Sequence, residues 1–196
     1  NSADALDTRT LSCVASLRGV LHAAGTADAG LLGSLDARPV RRLHAPKASG
    51  AWHLHCATCV APLDAHVLFS SVGAGLGNAG QASYAAANAS LDALAITQRA
   101  CGTAASSVQW PLVGGAGMGA GAFAAVGERQ VALVGMAGIS LEEYAACLGV
   151  RLVARAGGAL SVQLAHWADV GELLRDLANA SPVSYTHLTL PTSNSV

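Results

Sequence analysis

The chain has 196 residues, enough for one domain with a substantial core, and only 12% of them are charged, with a formal net charge of −1. This balance lacks the basic footprint of a nucleic-acid-binding protein, while the 22 glycines and abundant alanines favour helices packed closely on strands. The five cysteines form no regular framework, which argues against a disulfide scaffold and predicts a reducing, cytoplasmic location.

Two long stretches without Asp, Glu, Lys or Arg, residues 65–91 and 100–127, raise the question of a membrane span. Both are interrupted by glycines, hydroxyl side chains and amides, and the second contains Pro111. We therefore expect no transmembrane segment. The first residues include neither Met nor the basic and apolar regions of a signal peptide, and we expect the chain to be a piece of a longer protein.

The first half of the chain alternates between strand and helix patterns. Residues 17–25 form a short apolar run that predicts a buried parallel strand. A helix is predicted over 39–60 and a second buried strand over 65–72. Residues 83–102 give the strongest helix prediction, because they are rich in Ala, with apolar side chains on one face and a glycine at the end.

The second half continues the alternation. A third strand is predicted over 105–113, an amphipathic helix near 122–135, and a fourth strand over 159–167. Another helix is predicted to start at Ser140, since Ser140 and Glu143 fit a capping box. Strands alternating with helices of this length predict an α/β fold with a parallel sheet covered by helices on both faces.

The last segment changes composition. Residues 181–196 are rich in Ser and Thr, with two prolines and no Asp, Glu, Lys or Arg. We interpret them as an adaptor-like, non-native and disordered tail, and residues 1–180 as the domain itself.

A cluster of metal-ligand residue types lies in "HLHCATC", with His53, His55, Cys56 and Cys59. Four ligands along one predicted helix cannot converge on one ion without unwinding it, and no second Cys/His pair follows at a zinc-finger spacing. We therefore predict a partly buried helix end here, and no metal site.

Two glycine patterns follow predicted strands, G-x-G-x-x-G at 75–80 and G-x-G-x-x-A at 115–120. Neither has an acidic residue about twenty positions later to hold a ribose. In a chain with 22 glycines such matches arise by chance, so we predict turns and not a dinucleotide-binding motif.

A third constellation is more specific. Ser71, Tyr84 and Asn88 are spaced S-x12-Y-x3-N, and Lys47 precedes the tyrosine by 37 residues. Tyr84 and Asn88 are four residues apart on the predicted helix and share a face. Ser71 ends a predicted parallel strand, at the sheet edge where open α/β folds bind their ligands.

These residues resemble the catalytic tetrad of the short-chain dehydrogenase/reductase superfamily. The segments "GVLHAAG", "HAPKASGAWHLH", "VLFSSVGAGLGNAGQASYAAANASLDALA" and "SSVQWPLVGGAGM" are similar to the ketoreductase (KR) domain of modular polyketide synthases and fatty acid synthases. The resemblance extends from about residue 17 to about residue 178 and implies a Rossmann-like parallel sheet flanked by helices.

The resemblance implies NADPH-dependent reduction of a β-ketoacyl thioester, carried by an acyl carrier protein, to a β-hydroxyacyl thioester. Tyr84 would donate the proton to the carbonyl oxygen, and Lys47 would favour release of that proton through its positive charge. Ser71 would hydrogen-bond the same oxygen, and Asn88 would position a proton relay.

The same matching implies residues beside the cofactor. Ala24 and Gly25 occupy the small-residue turn that lies next to the dinucleotide, Lys47 would hold the nicotinamide ribose, and Tyr84 lies beside the nicotinamide. The glycine-rich stretch 114–121 falls where the family has a loop over cofactor and substrate.

The chain departs from the family pattern at several positions. Ala27-Asp28-Ala29 stands where one stereochemical class has Leu-Asp-Asp, and Leu76 stands where the other class has Trp, so product configuration is left open. Trp110-Pro111 replaces the usual Trp-Gly, and a proline removes a backbone donor there.

The family's NADPH-binding beginning, with its first strands and Gly-rich turn, has no counterpart in this sequence. We therefore expect the C-terminal, catalytic part of a KR domain, inactive by itself and binding NADPH weakly if at all. Neighbouring synthase domains would be its partners, with no nucleic acid or membrane. The alternatives are a silent structural or interaction fragment of a megasynthase, and a stand-alone reductase of a small carbonyl compound.

Overall fold

A computed structural model of the chain describes residues 17–27, 36–77, 80–114, 139–153 and 160–162. The elements, in chain order, are β1 (Gly19–His22), α1 (Ala37–His44), a π-helical turn (Ala45–Ser49), α2 (Gly50–Thr58), β2 (Ala65–Ser71), α3 (Gly73–Leu76), α4 (Ala82–Ala100), β3 (Ala105–Trp110), α5 (Leu141–Val153) and β4 (Leu160–Val162). The predicted helix near 122–135, residues 115–121 of the predicted loop 114–121, and the tail 181–196 lie outside the described residues.

The four strands form one parallel sheet in the order β1-β2-β3-β4. Gly19 pairs with Ala65, His66 with Ala105, and Ser107 with Leu160. The described part of each connection between neighbouring strands contains at least one helix, which is the usual connection between parallel strands. The predicted α/β, Rossmann-like class is confirmed.

The sheet packs helices on both faces. One hydrophobic cluster joins Leu68 of β2 to Ala51 of α2 and to Leu91 and Ala95 of α4. The other face is covered by α5 through a second cluster, which contains Ala65, Val67, Val108, Trp110 and Ile139 with Phe69, Val113, Tyr144, Cys147 and Leu148 packed against it. Alternate side chains of β2 thus point into different cores, Val67 into one and Leu68 into the other.

The predicted helix over 39–60 is present but not uniform. Asp36 caps its first residue through a hydrogen bond from the Ala37 amide. Pro46 has no amide hydrogen for an ordinary helical bond, and the chain winds through a π-helical turn at this point. The Gly50 amide donates to the carbonyl of Ala45, five residues earlier, before α2 resumes regular geometry.

The later helices follow their sequence signals. Helix α4 covers nineteen residues, and Gly102, with φ of 84°, lies just beyond its end. At the start of α5 the Ser140 amide donates to Glu143 at 2.8 Å and the Glu143 amide donates to the Ser140 hydroxyl at 3.1 Å, so the predicted capping box is confirmed.

No helix in the described ranges is both long and apolar enough to cross a bilayer. Cys56, Cys59, Cys101 and Cys147, the cysteines for which the structure gives an environment, are free thiols.

Candidate active site

Ser71 is the last residue of β2 and lies at the carboxyl edge of the sheet, where it pairs with Trp110 on β3. The Val72 amide donates to the Trp110 carbonyl at 3.0 Å, which ties the turn after Ser71 to the neighbouring strand. The Ser71 hydroxyl, which is half-buried, accepts a hydrogen bond from the Gly73 amide at 3.2 Å. This bond uses a lone pair of the oxygen and does not use the hydroxyl proton.

The glycine pattern at 75–80 folds differently from a simple turn. Gly73–Leu76 form the single helical turn α3, which the sequence analysis did not predict. Gly77 and Gly80 both have φ of 73°, a left-handed conformation that glycine adopts without a steric cost. The pattern thus connects β2 to α4 through backbone geometry that needs glycine. The second pattern, at 115–120, lies outside the described residues.

Lys47 lies in the π-helical turn and is 3% exposed. Its Nζ donates to the carbonyl of Phe69 on β2 at 3.1 Å and lies 5.6 Å from the ring centroid of Tyr84. Nε2 of His22 lies 3.2 Å from the Lys47 carbonyl, and as the protonated ring nitrogen it donates to that oxygen. Burial lowers the pKa of Lys47 to about 8, and the negative charge of Asp92 opposes this decrease.

Tyr84 and Asn88 lie one turn apart near the start of α4. Nδ2 of Asn88 donates to the Tyr84 carbonyl at 2.8 Å, and the Asn88 carbonyl accepts from the Ser70 hydroxyl at 3.3 Å. Asn88 is fully buried, and its Oδ1 has no hydrogen-bond partner among the described residues. A buried acceptor in this state is a binding position for a water or a hydroxyl group.

Ala24 and Gly25 follow β1 at the same edge of the sheet. A Cβ at Gly25 would lie 2.8 Å from Cε and 3.1 Å from Nζ of Lys47, so the backbone at Gly25 approaches the ammonium closely. Ala24 is exposed. The structure therefore brings Gly25, Lys47, Tyr84 and Asn88 into one group, with Ser71 at the end of the adjacent strand.

A buried carboxylate one helical turn beyond Asn88 was not found by sequence reasoning. Asp92 is 8% exposed and accepts two hydrogen bonds from β3, from Ser107 Oγ at 2.6 Å and from Gln109 Nε2 at 2.7 Å. The available signal was the spacing of Tyr84, Asn88 and Asp92 at four-residue intervals, which places all three on one helix face.

The His/Cys cluster lies on α2, with His53, Cys56 and Cys59 exposed. The Cys59 thiol donates to the Cys56 carbonyl at 3.2 Å. Across the described ranges, no group of three or more His, Cys, Asp or Glu side chains is arranged to hold a metal ion.

The family model of the KR domain matches residues 2–115, more than half of the chain. The chain belongs to the KR-domain family. Residues 2–115 include Gly25, Lys47, Ser71, Tyr84 and Asn88, so the match covers the whole group described above.

Curated relatives are polyketide synthases. NorB of the spectinabilin polyketide synthase system of Streptomyces orinoci is 46% identical over 138 residues, which are 70% of this chain and 6% of that protein. Polyketide synthase GfsA of Streptomyces halstedii is 45% identical over 129 residues, 66% of this chain and 2% of that protein. The chain therefore spans only a few per cent of the length of the relatives it matches.

Solved ketoreductase structures share the fold. An A1-type ketoreductase is 32% identical with a TM-score of 0.75, covering 95% of this chain and 41% of that chain. The first ketoreductase of the tylosin polyketide synthase is 33% identical with a TM-score of 0.73 over the same shares. The chain is thus a polyketide synthase KR-domain sequence of the short-chain dehydrogenase/reductase superfamily, and it covers part of that domain.

Proposed function

We propose that this chain is the catalytic portion of a ketoreductase that uses NADPH to reduce a β-ketoacyl thioester to a β-hydroxyacyl thioester within a polyketide or fatty acid synthase. The thioester would be carried by an acyl carrier protein. In this proposal residues 1–180 belong to the domain, residues 181–196 lie outside it, and the enzyme acts in the cytoplasm beside neighbouring synthase domains.

The observation that carries the proposal is the pairing of a buried lysine with a tyrosine at the carboxyl edge of the sheet. The Lys47 ammonium lies 5.6 Å from the Tyr84 ring centroid and is fixed by its bond to the Phe69 carbonyl. A positive charge held away from water is screened little, so it interacts with nearby groups more than an exposed ammonium would. This arrangement suits a tyrosine that gives up its proton during each turnover.

Each residue of the group has a role that its contacts support. Tyr84 would act as the general acid towards the substrate carbonyl oxygen, and the Ser71 hydroxyl would donate to the same oxygen as negative charge develops on it. The Ser71 oxygen already accepts from Gly73, so its proton is available for that bond. Asn88 would hold a water through its Oδ1, which has no partner in the described part of the chain, and so connect Tyr84 to a proton source.

The residues present fit the reactive end of a dinucleotide. A Cβ at Gly25 would lie 2.8 Å from Cε of Lys47, so the absence of a side chain at Gly25 lets the Lys47 ammonium lie directly against the turn after β1. Ala24 and Gly25 would line this ligand, Lys47 would donate to its ribose hydroxyls, and Tyr84 would lie beside the nicotinamide. NADPH, when bound, would supply the hydride.

The experiment is to supply the complete ketoreductase with NADPH and a β-ketoacyl thioester on an acyl carrier protein. We expect NADPH consumption matched by formation of the β-hydroxyacyl product. The same ketone without the thioester and carrier is the control, and we expect its kcat/KM to be much lower because remote binding contacts are lost. Equal kcat/KM for the free ketone would favour a stand-alone reductase, and no consumption with either would overturn the proposal.

A further inference from the structure

Asp92 is a buried acidic side chain on the helix that carries Tyr84 and Asn88. It follows Tyr84 and Asn88 on one face of α4, and it is 8% exposed. Among the described residues Lys47 and Asp92 are the only buried lysine, arginine or carboxylate side chains. A buried charge without a counter-charge is strongly unfavourable, so the two charges depend on each other.

The sheet register relates the groups to which these two charges are hydrogen-bonded. The Lys47 ammonium bonds to the carbonyl of Phe69 on β2. The Asp92 carboxylate bonds to Ser107 and Gln109 on β3, and these pair with Leu68 and Ser70, the neighbours of Phe69. Adjacent strands are about 4.8 Å apart, so the groups that bind the ammonium and the carboxylate lie on neighbouring strands at the same height in the sheet.

The other titratable groups that face Lys47 in the described part of the chain do not supply a negative charge. His22 of β1 contacts the Lys47 carbonyl, and burial lowers the pKa of its ring. Tyr84 of α4 presents its ring to the ammonium. Asp92 is thus the anion that balances Lys47, consistent with its effect of raising the pKa of that lysine.

A second contact extends from Asp92 to the turn behind Ser71. The side-chain amide of Gln109 donates a hydrogen bond from Nε2 to Asp92, so its Oε1 faces away from the carboxylate. This Oε1 lies 3.0 Å from the position of a Cβ on Gly75, in α3. The carboxylate therefore orients the amide against which the turn after Ser71 packs.

We propose that Asp92 is a positioning residue for the reduction: its carboxylate favours the charged form of Lys47 beside Tyr84, and its bonds to Ser107 and Gln109 fix helix α4 and the α3 turn against β3. The assignment rests on the proposed ketoreduction, because Asp92 acts through Lys47 and Tyr84 and touches neither substrate nor cofactor.

The test is Asp92→Asn in the complete ketoreductase, with kcat measured against pH. Losing the carboxylate removes the charge that favours protonated Lys47, so the alkaline limb of the profile should move down by about one pH unit. The expected kcat is then about fivefold below wild type at about pH 8 and close to wild type at about pH 6. Ser107→Ala is the matched control, because it removes one hydrogen bond and retains the charge, and its alkaline limb should not move.

A direct titration of Lys47, followed by NMR on isotope-labelled lysine, separates this proposal from the proposed function. A lower Lys47 midpoint in Asp92→Asn supports the charge pairing even if neither protein reduces the thioester. An unchanged midpoint, or a kcat lowered equally at every pH, overturns the role of Asp92 even if the enzyme is a ketoreductase.

A second variant guards against misfolding. In Asp92→Leu combined with Ser107→Ala and Gln109→Met, the carboxylate and both its donors are replaced together, so neither donor is left buried without its acceptor. The midpoint of Lys47 should fall in this variant too, and a wild-type midpoint there would overturn the proposal.

Discussion

At the scale of single residues, Gly25 determines where the Lys47 ammonium can lie. A methyl group at this position would come within 2.8 Å of Cε and 3.1 Å of Nζ. The lysine side chain is flexible and would move before the backbone does, leaving its place near Tyr84. A displacement of about 1 Å in a catalytic group can lower turnover on the order of a hundredfold.

We therefore expect Gly25→Ala to lower kcat by roughly tenfold to a hundredfold while changing the melting temperature little. Gly149→Ala is the matched control, because Gly149 lies inside α5 and nothing lies within 4 Å of an added Cβ. That variant should gain about 0.5–1 kcal/mol of stability from helix propensity and keep its kcat. Steady-state kinetics and thermal unfolding of both variants check this, and equal kcat values would contradict it.

Residue spacing, together with the resemblance to ketoreductases, led to the prediction of Lys47, Ser71, Tyr84 and Asn88 as site residues. The structure places the Lys47 ammonium beside the Tyr84 ring. The bonds of Asp92 to Ser107 and Gln109 could not be predicted in this way. These bonds depend on the position of α4 on the sheet, which is determined by the packing of Leu91 and Ala95 against it.

At the scale of secondary-structure elements, β2 buries a histidine that its apolar neighbours do not explain. His66 is 1% exposed, and neither ring nitrogen has a hydrogen-bond partner within the described ranges. Burial, together with nearby His55 and His22, lowers the pKa of His66 from 6.5 to about 4. The folded state therefore favours the neutral ring.

The consequence is acid sensitivity with a defined sign. The unfolded chain binds a proton at His66 below about pH 6.5, whereas the folded chain resists it until about pH 4, so stability is lost as the pH falls through this window. We expect His66 to contribute a loss of about 3 kcal/mol across it. Urea unfolding of the ketoreductase and of His66→Leu between these pH values measures this loss of unfolding free energy. The loss in His66→Leu should be smaller by about the contribution of His66. Parallel losses in both proteins would contradict the assignment.

Element boundaries were predicted best where a local signal was strong. The capping box at Ser140, the alanine-rich α4 and the apolar strands β2 and β3 are each encoded in consecutive residues. The π-helical turn around Pro46 and the short helix Gly73–Leu76 were not predicted, because neither has a periodic pattern of its own. Yet the first places Lys47, and the second follows Ser71.

At the scale of the whole molecule, alternation of strands and helices was sufficient to predict a parallel sheet between helix layers. It did not give the order of the strands, which depends on which crossovers neighbour each other in space. On β1, which pairs with β2 in the described part of the sheet, the side chain of Leu21 is 47% exposed.

The chain covers 41% of the A1-type ketoreductase structure, so the reduction is proposed for the complete domain.

The measurement that tests the central claim most directly is turnover of Tyr84→Phe in the complete ketoreductase, with NADPH and a carrier-bound β-ketoacyl thioester. Removing one hydroxyl should lower kcat on the order of a hundredfold to ten-thousandfold and leave the Kd for NADPH unchanged. Tyr144→Phe is the matched control, because Tyr144 packs on Trp110 in the α5 cluster with ring centroids 4.3 Å apart. It should turn over like wild type. A Tyr84→Phe enzyme with wild-type kcat would contradict the assignment of Tyr84 as the acid.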